Sequence, residues 1–216
     1  MCGIAGVFNL SGEPVLRNTV KDMVSKIAHR GPDGEGVFVK ENIGLGHRRL
    51  AILDVSERGS QPMTSKDLKW TVVFNGCIYN FQELRQELKS KGHSFVSQAD
   101  TEVIVEGLSA YGPKFFERLN GMFAVAAWSE EERSLYLSRD RFGIKPLYYW
   151  LNNKTLLFGS EIKAFFGHRK FKVELNKEAL NEYFTFQNLF SFRSFFKGVV
   201  LLPPANTVKI SADTSS

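Results

Sequence analysis

Apolar and polar positions alternate along the chain with two different periods. Gly3–Asn9 is a short, almost continuous apolar segment, which predicts a buried strand. The following apolar residues recur at the i, i+4, i+7 and i+8 spacing of one helix face: Leu16, Val20, Met23, Val24 and Ile27. We expect this helix to end at the segment His29-Arg30-Gly31-Pro32-Asp33-Gly34, which is rich in helix breakers.

The rest of the chain predicts more strands than helices. Bounded apolar segments predict strands at Gly36–Val39, Ile43–Leu53, Trp70–Asn75, Met122–Trp128, Ser134–Ser138, Leu147–Trp150, Thr155–Phe158 and Thr207–Ile210. Capping patterns predict helices that begin near Asn80 and near Asp100, and a last helix is expected over Lys177–Phe184. Helices grouped between strands, rather than strictly alternating with them, favour an α+β fold in layers.

The composition is that of a folded domain with a substantial core. The chain has 216 residues, of which 43% are hydrophobic and 13% aromatic. Its 28 Lys and Arg residues are scattered among 23 Asp and Glu residues, so we expect no nucleic-acid partner, which would require a concentrated basic patch. No apolar segment approaches the ~20 residues that cross a bilayer, and no signal peptide is recognisable, so a cytoplasmic protein without a membrane partner is expected.

Cys2 is the first candidate for chemistry. Methionine aminopeptidase generally accepts a small second residue, so the mature chain is expected to begin with this cysteine. A thiol titrates near ~8.5 and an α-amine near ~7.7–8.0, so a single residue could supply both nucleophile and base. Taken alone, Cys2 is explained more simply as a small core residue at the start of a strand.

Four further positions suit the chemistry of an α-amino acid amide. Asn75 and Gly76 end an apolar strand, where a side-chain amide and an unhindered N–H could bind an oxyanion, although a plain Asn-Gly turn is the common alternative. Arg49 and Asp100 could bind an α-carboxylate and an α-ammonium. Arg48 and Arg49 are adjacent on a predicted strand, so only one can face inward, and Asp100 alone is better explained as a helix N-cap.

Metal and nucleotide chemistry are not expected in this domain. The four histidines lack metal-ligand spacing, and neither CxxC nor HExxH occurs. No glycine-rich phosphate loop and no Ser-Gly-Gly segment is present.

Seven short motifs occur in order along the chain: Cys2-Gly3-Ile4, His29-Arg30-Gly31-Pro32-Asp33, Gly46-His47-Arg48-Arg49-Leu50, Asn75-Gly76-Cys77-Ile78-Tyr79-Asn80, Asp100-Thr101-Glu102-Val103, Gly121-Met122-Phe123-Ala124 and Arg139-Asp140-Arg141-Phe142-Gly143-Ile144-Lys145-Pro146-Leu147-Tyr148-Tyr149. Together they resemble the class II glutamine amidotransferase domain of the asparagine synthetase family, from Met1 to about Ile210. The resemblance implies an N-terminal-nucleophile hydrolase fold: a four-layer αββα sandwich with two antiparallel sheets between helical layers.

The resemblance also implies a role for each motif residue. Cys2 would be the nucleophile, and Asn75 with Gly76 would form the oxyanion hole. Arg49 would hold the glutamine carboxylate and Asp100 its ammonium. The remaining residues would line the pocket or shape the site and its exit: Leu50, Ala51, Ile52 and Leu53 by their backbone, and Arg30 with Asp33 from the loop after the first helix.

Cys77 departs from the family pattern, in which glutamate commonly stands at this position and helps to bind the substrate ammonium. Its replacement leaves Asp100 with more of that contact. A cysteine here also resembles a side branch that amidates other carboxylates, such as the N-acetylglutaminylglutamine amide synthases. Two interpretations of the thiol remain open: a small buried residue without chemistry, or a partner that oxidation joins to Cys2.

The resemblance divides the chain into a glutaminase domain over residues 1–210 and the start of a linker over residues 211–216. It implies hydrolysis of L-glutamine to glutamate and ammonia, with the ammonia used for ATP-dependent amidation, most simply of aspartate, by a C-terminal synthetase domain. ATP and Mg would act only in that second domain, and a homodimer is left open. The alternatives are an amide synthase with another acceptor, a thiol peptidase, which would need a His or Asn partner around its cysteine, and a non-catalytic regulatory module that kept the fold.

Overall fold

The computed structural model describes residues 1–152 and 154–212. The strands are β1 (Gly3–Asn9), β2 (Gly34–Lys40), β3 (Ile43–Arg49), β4 (Met63–Thr64), β5 (Trp70–Ile78), β6 (Gly121–Ser129), β7 (Ser134–Arg139), β8 (Tyr148–Asn152), β9 (Thr155–Gly159), β10 (Val199–Leu201) and β11 (Thr207–Ser211). The α-helices are α1 (Arg17–Ser25), α2 (Phe81–Ser90), α3 (Asp100–Tyr111) and α4 (Lys177–Phe186). Short 3₁₀ helices lie at Ala28–Arg30, Glu57–Gly59, Gly112–Arg118 and Ile162–Gly167.

The strands form two antiparallel sheets. The first has the order β10-β8-β9-β1-β3-β2, and the second has the order β11-β7-β6-β5-β4. Every pairing between named strands is antiparallel. The nucleophile candidate Cys2 immediately precedes β1, a central strand of the first sheet, whereas Asn75 and Gly76 lie on β5 of the second sheet.

The two sheets pack face to face between helical layers. Along β1, Ile4 and Phe8 point into the core between the sheets, and Ala5 and Val7 point towards α1. This alternation follows from the two-residue period of a strand that is buried on both faces. Buried residues of β5 and β6 form a third core with α2 and α3. The arrangement is the αββα sandwich that the resemblance implied.

Four expectations about local structure need correction or refinement. The strand predicted over Ile43–Leu53 ends at Arg49, and Leu50–Leu53 form a loop held by other contacts. Ala99, not Asp100, is the N-cap of α3. Asn80 does occupy the N-cap of α2, but its Oδ1 accepts the N–H of Asn120 instead of capping the helix. The short strands β4 and β10 were not predicted, because neither is long enough to show a period.

The predicted domain boundary falls at the end of the described chain. β11 extends to residue 211, and residues 213–216 of the predicted linker lie outside the described residues. Among residues 1–152 and 154–212, no helix has both the length and the apolar character needed to cross a membrane.

Candidate active site

Cys2 lies at the edge of a cleft, where the loop that follows β3 contacts its thiol. The Leu50 N–H donates to Sγ at 3.4 Å, and Sγ lies 3.6 Å from the Leu50 carbonyl oxygen. Arg30 donates from Nε to the Cys2 carbonyl at 2.9 Å. The main chain and the thiol of Cys2 are therefore held from two sides while the residue stays partly accessible.

Glu161 fixes the Arg30 side chain that holds Cys2. Arg30 Nη1 lies 2.9 Å from Glu161 Oε1, and the side chain of Arg30 is only 9% exposed. Partial burial would raise the pKa of Glu161, but hydrogen bonds from Arg30, His29 and Lys163 lower it below its ordinary value. Glu161 thus stays ionised and keeps Arg30 against Cys2. Sequence analysis did not identify Glu161, because it lies 131 residues from Arg30.

Asp33 acts on the loop that follows β3. Its Oδ2 accepts the Ala51 N–H at 2.9 Å, and its own N–H donates to the Arg49 carbonyl at 3.0 Å. These contacts end the strand at Arg49, since the next residues bond to Cys2 and Asp33 instead of continuing the sheet. Arg30 and Asp33 therefore contact Cys2 and the loop after β3 from outside the cleft lining, and their predicted supporting role stays a prediction.

Asn75 and Gly76 are brought to the cleft by β5. Asn75 is 1% exposed, and its Nδ2 is buried without a hydrogen-bond partner among the residues that the structure describes. Gly76 lies against β6, where a Cβ atom would come within 2.1 Å of the Met122 carbonyl oxygen. Only glycine fits this approach, and the Asn-Gly pair lies within a strand, not in a turn.

The cleft brings most of the predicted site residues together in a cavity of about 150 Å³. Its lining contains every residue predicted to bind or react with substrate: Cys2, Arg49, Leu50, Ala51, Ile52, Leu53, Asn75, Gly76, Cys77 and Asp100. It also contains residues that sequence analysis missed: Met1, Asp54, Gly59, Gln61, Phe74, Ala99, Thr101, Met122 and Lys145. Folding thus joins segments that lie up to 144 positions apart in the sequence.

Arg49 faces the cleft, and Arg48 does not. Arg48 contacts the Val24 carbonyl and Glu35 on the other side of β3. The Arg49 guanidinium donates to the Ser56 carbonyl at 2.8 Å, to Ser60 Oγ at 3.4 Å and to the Asp54 carbonyl. These contacts use three of its five N–H donors and fix the loop that covers the cleft, leaving two donors for a ligand.

Asp100 presents a buried carboxylate to the cleft. It is 5% exposed, and its Oδ2 accepts the Ile78 N–H at 3.0 Å. Burial raises its pKa above the ordinary value despite this hydrogen bond. The nearby Arg85 directs its guanidinium to the Ser97 and Ala99 carbonyls instead. A buried carboxylate without a direct ion pair is suited to an ammonium ligand.

Cys77 shares the cleft with Cys2, and both thiols are free. Burial and the neighbouring Asp100 raise the pKa of the Cys77 thiol, which makes it less reactive. The thiol therefore does not replace the negative charge of a glutamate at this position. Oxidative joining of the two cysteines stays a prediction.

Histidine does not provide a base for Cys2 in the part of the chain that is described. The cleft lining contains no histidine. Burial lowers the pKa of His47 to about 3, so its ring is neutral at physiological pH. His29 is exposed and pairs with Glu161. Nor do the described ranges contain a group of three or more His, Cys, Asp or Glu residues that could hold a metal ion.

Comparison with protein families decides the classification. The sequence profile described as "Glutamine amidotransferase domain" matches residues 1–216. The chain belongs to this family. The recognition made from the seven motifs is thereby confirmed.

The relatives of this glutamine amidotransferase domain include longer enzymes. It is 43% identical over 190 residues to glutamine-hydrolyzing asparagine synthetase 1 of Bacillus subtilis (strain 168), covering 87% of this chain and 30% of that protein. It is 36% identical over 217 residues to asparagine synthetase 3 of the same organism, covering 99% of this chain and 35% of the relative. The chain thus spans about a third of the length of these curated relatives.

A solved structure supports the fold independently. Glutamine phosphoribosylpyrophosphate amidotransferase from B. subtilis, complexed with ADP and GMP, superposes on the domain with a TM-score of 0.67 at 21% identity. The match covers 81% of this chain and 45% of the other. The expected N-terminal-nucleophile hydrolase fold is confirmed.

Proposed function

We propose that this domain hydrolyses L-glutamine to glutamate and ammonia through a thioester on Cys2. The observation that carries the proposal is the buried Asn75 Nδ2, which has no partner within residues 1–152 and 154–212 and belongs to the same cleft as the Cys2 thiol. Buried polar groups are almost always hydrogen-bonded, so an unpaired donor beside a nucleophile calls for a function. An oxyanion that exists only during the reaction would supply the missing acceptor.

The reaction can be assigned to residues of the cleft. After removal of Met1, the Cys2 thiol proton passes to the Cys2 α-amine, and the thiolate attacks the side-chain carbonyl carbon of glutamine. Asn75 Nδ2 and the Gly76 N–H bind the resulting oxyanion. As the tetrahedral intermediate collapses, the carbon–nitrogen bond breaks and ammonia leaves with the proton from the α-ammonium. Water then hydrolyses the thioester and releases glutamate.

Substrate binding is assigned to two charges at the cleft. The two remaining donors of Arg49 hold the α-carboxylate, and Asp100 holds the α-ammonium. Leu50, Ala51, Ile52 and Leu53 line the space between, and Cys77 stands beside the ammonium without adding a negative charge.

The first test is acylation of the purified, processed domain by glutamine. We expect release of glutamate and ammonia, and in an acid quench an adduct whose mass equals glutamine less ammonia on the peptide that contains Cys2. Cys2→Ala should abolish both signals, while Cys77→Ala should keep the adduct on the Cys2 peptide. A protein engineered to retain Met1 should be inactive, because the Cys2 nitrogen is then part of a peptide bond and cannot accept the thiol proton. Equal turnover with Met1 in place would contradict the assignment of the base.

The likeness to asparagine synthetases extends the proposal to a larger protein. We infer that the ammonia serves ATP-dependent amidation by a C-terminal synthetase domain, in the cytoplasm, with aspartate as the first acceptor to test. ATP and Mg would bind only to that domain, so they should leave the hydrolysis of glutamine by this domain unchanged. The parent protein should form asparagine from aspartate, ATP and glutamine. If the parent protein amidated a different carboxylate, it would belong with other amide synthases. Size-exclusion chromatography would show whether the parent protein is a dimer.

A further inference from the structure

Lys145 is a buried cation in the cleft that none of the roles above uses. The residue is 5% exposed, although lysine rarely reaches such burial without a partner. Its Nζ lies 2.9 Å from Met1 Sδ, the side chain of the residue that precedes the nucleophile. Among the described residues, no carboxylate forms an ion pair with Nζ. The ammonium therefore lies in the cleft that Cys2 also lines, in contact with the residue that precedes Cys2.

The backbone around Lys145 holds this orientation. Asp140 Oδ2 accepts the Lys145 N–H at 3.0 Å, and Arg139 Nε donates to the Lys145 carbonyl at 2.8 Å. Both of these side chains are buried. The flanking Phe142 and Ile144 side chains are exposed, whereas that of Lys145 turns into the cleft. The loop thus directs a charged side chain inward and apolar ones outward, the reverse of what solvation alone favours.

The charged groups around Lys145 do not neutralise it directly. Burial lowers the pKa of the Lys145 ammonium, and the positive charge of Arg30 lowers it further. Asp140 raises it, but its carboxylate is already bound by backbone N–H groups of four residues. The other titratable or charged groups at or near the cleft come from several elements: Cys2 before β1, Arg49 on β3, Asp54 in the loop after β3, Cys77 on β5, Asp100 on α3 and Glu161 after β9.

We propose that Lys145 is a positioning residue whose ammonium keeps the Cys2 α-amine unprotonated and favours the Cys2 thiolate in the processed protein. This inference rests on the proposed function of Cys2. A positive charge disfavours a second positive charge on a neighbouring amine and stabilises a negative charge on a neighbouring sulfur. Lys145 donates no proton in this scheme: the thiol proton passes to the α-amine and then to the departing ammonia.

The test measures the ionisation of Cys2 without relying on glutamine. In a Cys77→Ala background with Met1 removed, the rate of Cys2 alkylation by iodoacetamide is followed against pH by mass spectrometry. Lys145→Gln should raise the midpoint of this profile by about one pH unit, the lower end of what a nearby opposite charge produces. Lys145→Arg should keep the midpoint of the background protein, because its charge is permanent. Lys114→Gln, at an exposed lysine of the 3₁₀ helix Gly112–Arg118, is the matched control and should change nothing.

Glutaminase activity supplies the second measurement. The acidic limb of kcat/KM should move to higher pH in Lys145→Gln, with about a tenfold loss at pH values below the midpoint, since one pKa unit corresponds to a factor of ten. An unchanged alkylation midpoint in Lys145→Gln would overturn the proposal. The proposal would also be overturned if Lys145→Arg had the same Tm as the Cys77→Ala background but the alkylation midpoint of Lys145→Gln. If the alkylation midpoint depends on Lys145 but no variant or parent releases glutamate, the proposed function fails and the effect of Lys145 on Cys2 stands.

Discussion

Replacing Asn75 by alanine should separate catalysis from stability. Removal of one oxyanion donor lowers kcat by roughly 10²–10³, or about 2.7–4 kcal/mol of transition-state stabilisation. KM should change much less, because the donor acts on an oxyanion that the bound substrate does not yet carry. Steady-state glutamate release over a range of glutamine concentrations measures both constants.

The stability of the same variant should change little. Asn75 Nδ2 has no partner among the described residues, so its loss breaks no hydrogen bond and relieves a desolvation cost of about 1–3 kcal/mol. The vacated space, about one water volume of ~30 Å³, costs only ~0.7 kcal/mol at ~24 cal/mol per Å³. Thermal unfolding should therefore show an equal or slightly higher Tm, at about 2–4 °C per kcal/mol for a domain of this size.

Asn42→Ala is the matched control for Asn75→Ala. Asn42 is also a buried asparagine, but its Nδ2 donates to the Asn9 carbonyl at 2.9 Å, and it lies outside the cleft. This variant should lose about 1 kcal/mol of stability and keep its activity. If Asn75→Ala mainly raised KM, or lost as much stability as the control with unchanged kcat, Asn75 would be a structural residue and the oxyanion assignment would be wrong.

The other predictions concern the two substrate charges. Arg49→Lys should raise KM for glutamine. One ammonium cannot hold the Ser56 and Asp54 carbonyls and also form a forked contact with a carboxylate. An unchanged KM in steady-state kinetics would show that Arg49 is not in the binding site. Burial raises the pKa of Asp100, so the folded state favours the protonated carboxyl and is destabilised by the ionised one. The folded state therefore loses stability as the pH rises from the unfolded-state pKa of Asp100 through its folded-state pKa. Asp100→Asn should therefore raise Tm at neutral pH without glutamine while it raises KM, and a lower Tm in a thermal melt would contradict this reasoning.

Much of the fold could be predicted from local sequence patterns, because the spacing of apolar residues reflects whether a helix or strand is buried on one face or on both. β1 was predicted at its observed bounds, and the periodicity that predicted the first helix marks the residues that α1 buries: Val20, Met23 and Val24. The end of β3 could not be predicted from the sequence. The apolar segment Ile43–Leu53 continues past Arg49, but the bonds from Leu50 to Cys2 and from Ala51 to Asp33 end the strand, and those partners are distant in sequence.

For the candidate site, residue types and motif order in the sequence were enough to name Cys2, Arg49, Asn75, Gly76 and Asp100. The roles of these residues come from the family resemblance that the motifs carry, because residue types alone left simpler explanations open for Cys2, for the Asn-Gly pair and for Asp100, and the roles stay predictions. Only the tertiary structure decided that glycine is required at position 76 by the approach of β6, and that, within the described part of the chain, Asn75 Nδ2 is unpaired and Asp100 has no direct ion pair.

Lys145 shows most directly why the structure was needed. In the sequence it is one lysine within a recognisable motif, and nothing local indicates whether its side chain meets solvent or the core. The contacts of its backbone with Arg139 and Asp140 turn the side chain into the cleft beside Met1. Burial and the electrostatic field at a site depend on which distant segments fold against it, so the sequence by itself determined the candidate reacting groups and the tertiary structure decided which charges surround them.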